Sequence, residues 1–285
     1  MGLQIKPNHA PHRLENGAVW LGPQMPGEAT EITDEAGVVW PICRRLDGTR
    51  SREVLVAEVL AEQRPDGEAT AGDIGEIIDF FIASGWVLDT AAPIPPELSE
   101  HELERYQRNA QFFSAIDLRP GSTGYGLQAR LKVARVAVLG LGGVGSAAAT
   151  SLTGCGVGSL HCVDYDTVEL SNLNRQLLYT ERDIGRSKVD AGVEHLRSRQ
   201  HSTGIRFDPE HVMPRDPAEN PVIAPTAQIA GHFLAMETIL LLLGMKVPTA
   251  GRELHRYVVD YDEQYYLDAE PQPDCPVGCG ALMPR

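Results

Sequence analysis

The sequence predicts an α/β protein with a mostly parallel sheet, preceded by a small α+β domain of winged-helix type. Three observations carry this expectation. Residues 135–164, RVAVLGLGGVGSAAATSLTGCGVGSLHCVD, read in order as strand, glycine turn, helix and strand, the unit from which parallel sheets grow. Residues 18–90 alternate short β-rich runs with stretches of helical spacing. Between the two, the Pro-rich TAAPIPPELSE (90–100) changes composition abruptly and reads as a linker. The expected division is a first domain over 1–92, a linker over 93–104 and a second domain over 105–285.

Within the first domain, AVWL (18–21) and GVVWPI (37–42) are short β-rich runs around the turn-forming GPQMPGE and DEAG. A turn at LDGT then precedes a helical pattern in which Val54, Val56, Val59 and Leu60 recur at near-helical spacing. AGDIGEIIDFFIASGW predicts a second helix, with Ile74, Ile77, Ile78, Phe81 and Ile82 on one side and Gly85 as its stop. WVLD returns as a strand. From Glu102 a charged helix, ELERYQRNAQFF, leads into the larger unit. The longest apolar segment, AQIAGHFLAMETILLLLG (227–244), carries Gln228, His232 and Glu237, which are expensive in lipid, so it is expected to be a buried helix.

Composition narrows the function classes. The chain has 285 residues, 42% of them hydrophobic, and a net charge of −14, which offers no general attraction to nucleic acid or anionic membrane. Any phosphate must therefore be held by local donors. Five cysteines without regular spacing make no disulfide framework, which favours a reducing compartment and a cytoplasmic location. No basic-then-apolar signal pattern opens the sequence.

Gly140, Gly142 and Gly145 satisfy G-x-G-x-x-G after a strand and before a helix. Glycines there let the backbone turn sharply and approach a phosphate at the helix N-terminus, where N–H groups and the helix dipole favour anions. Asp164, at the end of the next strand, is where a carboxylate accepting from ribose hydroxyls belongs. A dinucleotide site needs little beyond backbone, whereas a triphosphate needs cations. Arg175, in SNLNRQLLY (171–179), and Lys188 supply them if the fold returns both to the glycine loop.

Taken together, GLGGVGS, VDYDTVELSNLNRQLLY and DIGRSKVDA resemble the adenylation domain shared by ThiF, MoeB and the ubiquitin-activating E1 enzymes, a Rossmann-like fold. The resemblance runs from about Arg105 to Gln200 and resumes at NPVIAPTAQIAGHFLAMETILLLLG. It implies ATP-dependent adenylation of a carboxylate, with Mg²⁺. Gly140, Gly142, Gly143, Gly145 and Ser146 would form the phosphate loop, and Asp164 would bind ribose. Asn172, Arg175 and Gln176 would lie along the phosphates, and Lys188 would neutralise the pyrophosphate. Arg108 matches the family arginine that reaches the partner protomer's active site, which implies a homodimer.

The sequence departs from the family after Lys188, where it is shortened between 205 and 222. The family's Mg²⁺-binding aspartate has no clear counterpart. Asp208 and Asp216 stand in Pro-containing loop sequence and read first as solvated acids. A metal ligand from elsewhere, impaired catalysis and a missing segment stay open. Cys275 and Cys279 echo a zinc half-site, yet they are spaced by three residues and only two ligands are visible, so zinc is not expected. Cys43, Cys155 and Cys162 read as small core residues, and no catalytic cysteine thioester is expected. His195, His201 and His211 read as solvated.

The first domain resembles the PqqD-like element with which the peptide-modifying, MccB-like branch of the family grips the leader of a ribosomally made precursor peptide. The implied mode is strand addition at a sheet edge, and the plain alternative is a packing or dimerisation appendage. The leading expectation is an enzyme that adenylates a peptide carboxylate or amide. The alternative is a leader-binding partner that presents a precursor to a YcaO-type cyclodehydratase. An NAD-dependent oxidoreductase, sharing the glycine fingerprint, does not account for SNLNRQ.

Overall fold

A computed structural model of the chain describes residues 2–22, 29–63, 68–199, 204–207, 223–245, 252–256 and 264–268. They fall into two compact units, Met1–Arg130 and Leu131–Arg285. Up to Val133 the chain forms strands β1 (Leu3–Ile5), β2 (His12–Arg13), β3 (Val19–Leu21) and β4 (Thr30–Ile32) and helices α1 (Val39–Arg45), α2 (Arg52–Glu62) and α3 (Ala71–Ala83). Strand β5 (Val87–Asp89) and helices α4 (Glu100–Arg105), α5 (Gln107–Ile116) and α6 (Gly124–Val133) follow.

In the first unit β2, β3 and β4 make an antiparallel sheet, and β1 pairs antiparallel with β5. Leu21, Ile42, Leu55, Ile74, Ile78 and Phe81 are fully buried in its core, drawn from β3 and all three of the first helices. Burying each such side chain contributes about 1.5–3 kcal/mol. Ser51 and Thr70 cap α2 and α3 through their hydroxyls, and Asp73 completes a capping box on α3.

Two local expectations change. GVVWPI is helical rather than extended, because the Asp34 carboxylate accepts from the Val39 and Trp40 N–H groups at 2.8 and 3.1 Å and caps α1. Pro41 is tolerated in that first turn, where its missing N–H has no intrahelical partner to lose. The charged helix after the linker divides at Tyr106, whose backbone (φ −98°, ψ 13°) leaves the helical region while its ring is buried.

The second unit continues with β6 (Arg135–Leu139), α7 (Gly143–Gly154), β7 (Ser159–Val163), α8 (Lys188–Arg199), β8 (Gly204–Phe207), α9 (Ala224–Leu242), β9 (Arg252–Arg256) and β10 (Gln264–Asp268). β6, β7 and β8 are parallel in that order, and β9 pairs antiparallel with β10 in a separate sheet. The register sets Leu139 beside Val163, so the glycine loop and Asp164 leave the sheet at the same end. The apolar segment forms α9, but only one face is buried: Ala227, Gly231 and Ala235 are enclosed while Ile229, Leu234, Met236 and Leu241 are exposed. Small residues every fourth position let α9 lie close on α7, and Glu237 and Ile239 are buried further along the helix. No described helix is long and apolar enough to cross a membrane.

Candidate functional site

The glycine loop between β6 and α7 is shaped by backbone demands. Gly140 has φ +88°, in the left-handed region that side chains avoid, and its N–H donates to the Val163 carbonyl at 2.7 Å. A Cβ at Gly145 would collide with the Gly140 carbonyl, so the loop can fold back only on a glycine. A Cβ at Gly142 would meet nothing nearer than the Gln176 Nε2 at 3.9 Å, so that side of the loop is open. No side chain caps α7, whose first-turn N–H groups have no intrahelical acceptor. Ser146 is buried within α7, with its hydroxyl 3.4 Å from the Gly143 carbonyl.

Asp164 faces the loop. Its carboxylate accepts from the Leu141 N–H at 2.5 Å and from the Asp166 N–H at 2.9 Å. It therefore braces the glycine turn from the end of β7, a duty the sequence reading did not assign to it.

The segment from Glu169 to Lys188 closes the site from the other side. Asn172 is buried and caps a 3-10 turn, Leu170–Asn172, by accepting from the Glu169 N–H at 3.2 Å. Arg175 lies against the loop: a Cβ at Gly143 would come within 3.7 Å of its Cγ, and its guanidinium donates to the Ser171 carbonyl and the Asn174 side chain at 2.9 Å. Gln176 is buried, and its Oε1 has no hydrogen-bond partner. An orphaned buried amide oxygen is rare and calls for an explanation, such as an absent ligand or water. Lys188, at the start of α8, is also buried rather than solvated, with its Nζ 2.9 Å from Asp166 Oδ2.

Sequence reasoning missed three organising residues. Tyr179 stands in an apolar triplet, yet its hydroxyl lies 3.0 Å from the Leu141 carbonyl and 3.1 Å from that of Lys188, tying the glycine loop to the start of α8. Burial, and then the neighbouring Asp164, push its pKa up. Asp166 is the partner of Lys188. Asp183, 2% exposed, accepts from the Thr180 N–H and hydroxyl, from Arg186, and from His195 Nε2 at 2.8 Å. Burial works to raise the Asp183 pKa, but the Thr180 amide, His195 and the Thr180 hydroxyl outweigh it and hold the carboxyl at about 2. His195 is thus a hydrogen-bond partner of Asp183 rather than a freely solvated residue. The T-x-x-D spacing of Thr180 and Asp183 was the available signal for this knot.

Arg108 lies exposed on α5, in the first unit, with its guanidinium 2.9 Å from Gln111 Oε1. Asp208, Asp216, Cys275, Cys279, His201 and His211 lie outside the described residues. Among the described residues no three His, Cys, Asp or Glu side chains cluster as a metal site. What the second unit assembles is an open glycine turn at a helix N-terminus, an amide and two cations, a donor set that fits a polyphosphate.

Comparison with known proteins bears on this arrangement. The chain is 40% identical over 141 residues to the molybdopterin-synthase adenylyltransferase of Salmonella typhimurium, covering half of each chain. It is 40% identical over 126 residues to the adenylyltransferase and sulfurtransferase uba4 of Emericella nidulans, covering 41% of this chain and 26% of that one. It thus spans between a quarter and a half of the length of these curated relatives. Among solved structures, E. coli MccB with ATP superposes with a TM-score of 0.72 at 15% identity, covering 97% of this chain and 99% of that one. PaaA superposes with a TM-score of 0.70 at 20% identity, covering 92% and 98%. At those identities the likeness is one of fold. The ThiF family model matches residues 106–221, the stretch that runs from the start of α5 past β8.

Proposed function

We propose that this chain is an ATP-using adenylating enzyme whose substrate is the carboxylate or amide of a peptide. The observation that carries the reading is that Arg175 and Lys188 come back to the glycine loop, Arg175 with its Cγ beside Gly143 and Lys188 with its backbone carbonyl on the Tyr179 hydroxyl that also meets the Leu141 carbonyl. A dinucleotide oxidoreductase has no need of two cations there. Relatives named as adenylyltransferases, and the MccB structure with ATP, support the same chemistry.

In the proposed reaction a substrate oxygen attacks the α-phosphorus of ATP, the bond to the bridging oxygen breaks, and pyrophosphate leaves. Gly140, Gly142, Gly143, Gly145 and Ser146 form the phosphate loop, and Asp164 serves the ribose side while bracing the loop. Asn172, Arg175 and Gln176 line the phosphates. Lys188 offsets charge on the departing pyrophosphate, a stabilisation that grows toward the transition state.

A peptide is favoured as substrate because MccB, a protein of the same fold over nearly its whole length, has been solved with the MccA peptide. The first domain, 1–92, is read as a winged-helix element that takes a leader peptide along a sheet edge. Relatives that include an adenylyltransferase of molybdopterin synthase make a protein carboxylate the second reading. A homodimer in the cytoplasm, with Arg108 serving the partner's site, completes the proposal.

ATP–pyrophosphate exchange with a candidate precursor peptide tests it. Arg175→Ala or Lys188→Ala should lower exchange by about 100-fold or more. Tight binding of the leader by the full chain, with no exchange and no affinity for nucleotide, would make it a presenting partner instead.

A further inference from the structure

We propose that Asp166 is a positioning residue of this site, whose carboxylate fixes the Lys188 ammonium beside the glycine loop before a polyphosphate arrives. The inference rests on the adenylation reading and deepens it. A buried ammonium is penalised by several kcal/mol unless it is paired. Lys188 has a side chain only 6% exposed, and its Nζ meets Asp166 Oδ2 at 2.9 Å, while the Asp166 side chain is 33% exposed. The buried member is the cation and the wetter member is the carboxylate.

The pair sits on a prepared backbone. The Lys188 N–H donates to the Asp166 carbonyl at 2.9 Å, Thr167 bridges Ser187, and Val168 exchanges bonds with Gly185 and Arg186. The two segments are thus held together without help from the side-chain ion pair. The Asp166 N–H donates to Asp164 Oδ1, and Asp164 Oδ2 accepts from the Leu141 N–H. A continuous run of polar contacts links the glycine loop, Asp164, Asp166 and the ammonium.

Lysine carries three ammonium hydrogens, so the bond to Asp166 can orient the group while a phosphate oxygen accepts from it as well. The carboxylate also repels that phosphate. Asp166 therefore improves placement at some expense in affinity, and that opposition separates a positioning role from a merely structural one.

The test compares the full-length wild type with Asp166→Asn and Asp166→Glu, measuring ATP and inorganic triphosphate binding by calorimetry, exchange kinetics and thermal unfolding. Asp166→Asn should bind ATP roughly threefold more tightly, because a nearby negative charge is gone. Its kcat for exchange should fall about tenfold or more, because the ammonium is no longer held. Asp166→Glu should recover part of the kcat and return the Kd toward wild type. Parallel losses in affinity, kcat and Tm in both variants, or no change in either Kd or kcat, would overturn the positioning role alone. A wild-type protein that binds neither ATP nor triphosphate would overturn it together with the adenylation reading.

Discussion

At Tyr179 one hydroxyl lies within 3.1 Å of two carbonyls that belong to different parts of the site, those of Leu141 and Lys188. A phenylalanine there keeps the ring packing and leaves both carbonyls without that donor. Tyr179→Phe should therefore lower stability by about 1–3 kcal/mol in urea unfolding, the cost of an unmet buried hydrogen bond. It should also weaken ATP binding, since the glycine loop and the start of α8 lose their tie. Arg175 and Lys188 were legible in the sequence as cations, but their partners were not. Asp166 was visible only as the second acid of VDYD, and the antiparallel bridge between Thr167 and Ser187 brings it to Lys188. Side-chain pairing across 22 residues of loop leaves no periodic trace, which is why spacing rules could not find it.

Elements were legible where one local rule governed them. The α3 pattern, with its Thr70 cap and one apolar side, forms as the spacing predicts. GVVWPI did not, because the cap that starts α1 is Asp34, outside the run whose β-branched residues argued for a strand. In the second unit the contact between α7 and α9 is set by Gly231, where a Cβ would meet the Val144 carbonyl and stand 2.6 Å from the Ala147 Cβ. Gly231→Val should force the helices apart and destabilise the protein by about 1–3 kcal/mol, read as a fall in the urea midpoint. Gly154→Ala, at the end of α7 with nothing within 4 Å of its Cβ, should not show that loss.

Across the whole molecule, acid stability is set by buried groups in both units. His9 is fully buried, neither ring nitrogen has a partner, and burial followed by the nearby Lys6 pulls its pKa down to about 4. The unfolded chain takes up this proton near 6.5, so it binds more protons than the folded chain between about 4 and 6.5. His9 therefore leaves stability intact above pH 6.5 and erodes it by about 3 kcal/mol as pH falls to 4. Asp183, held at about 2, adds a second loss of roughly 2 kcal/mol between the ordinary carboxylate value near 4 and pH 2. Urea unfolding across pH 2–8 should show both slopes. His9→Leu should abolish the upper one, and Asp183→Asn should shrink the lower, to which the buried Asp117, also held at about 2, contributes as well. The sequence by itself determined the parallel strand–turn–helix unit, the need for glycine at 140 and 145, and the presence of two cations, Arg175 and Lys188, after the second strand, because each follows from short-range sterics or from residue chemistry. Only the tertiary structure decided that Asp164 braces the loop, that Asp166 holds Lys188, that His195 pairs with Asp183, and that α9 buries one face. Those outcomes depend on which distant segments meet, and burial then selects the hydrogen bonds that they must share.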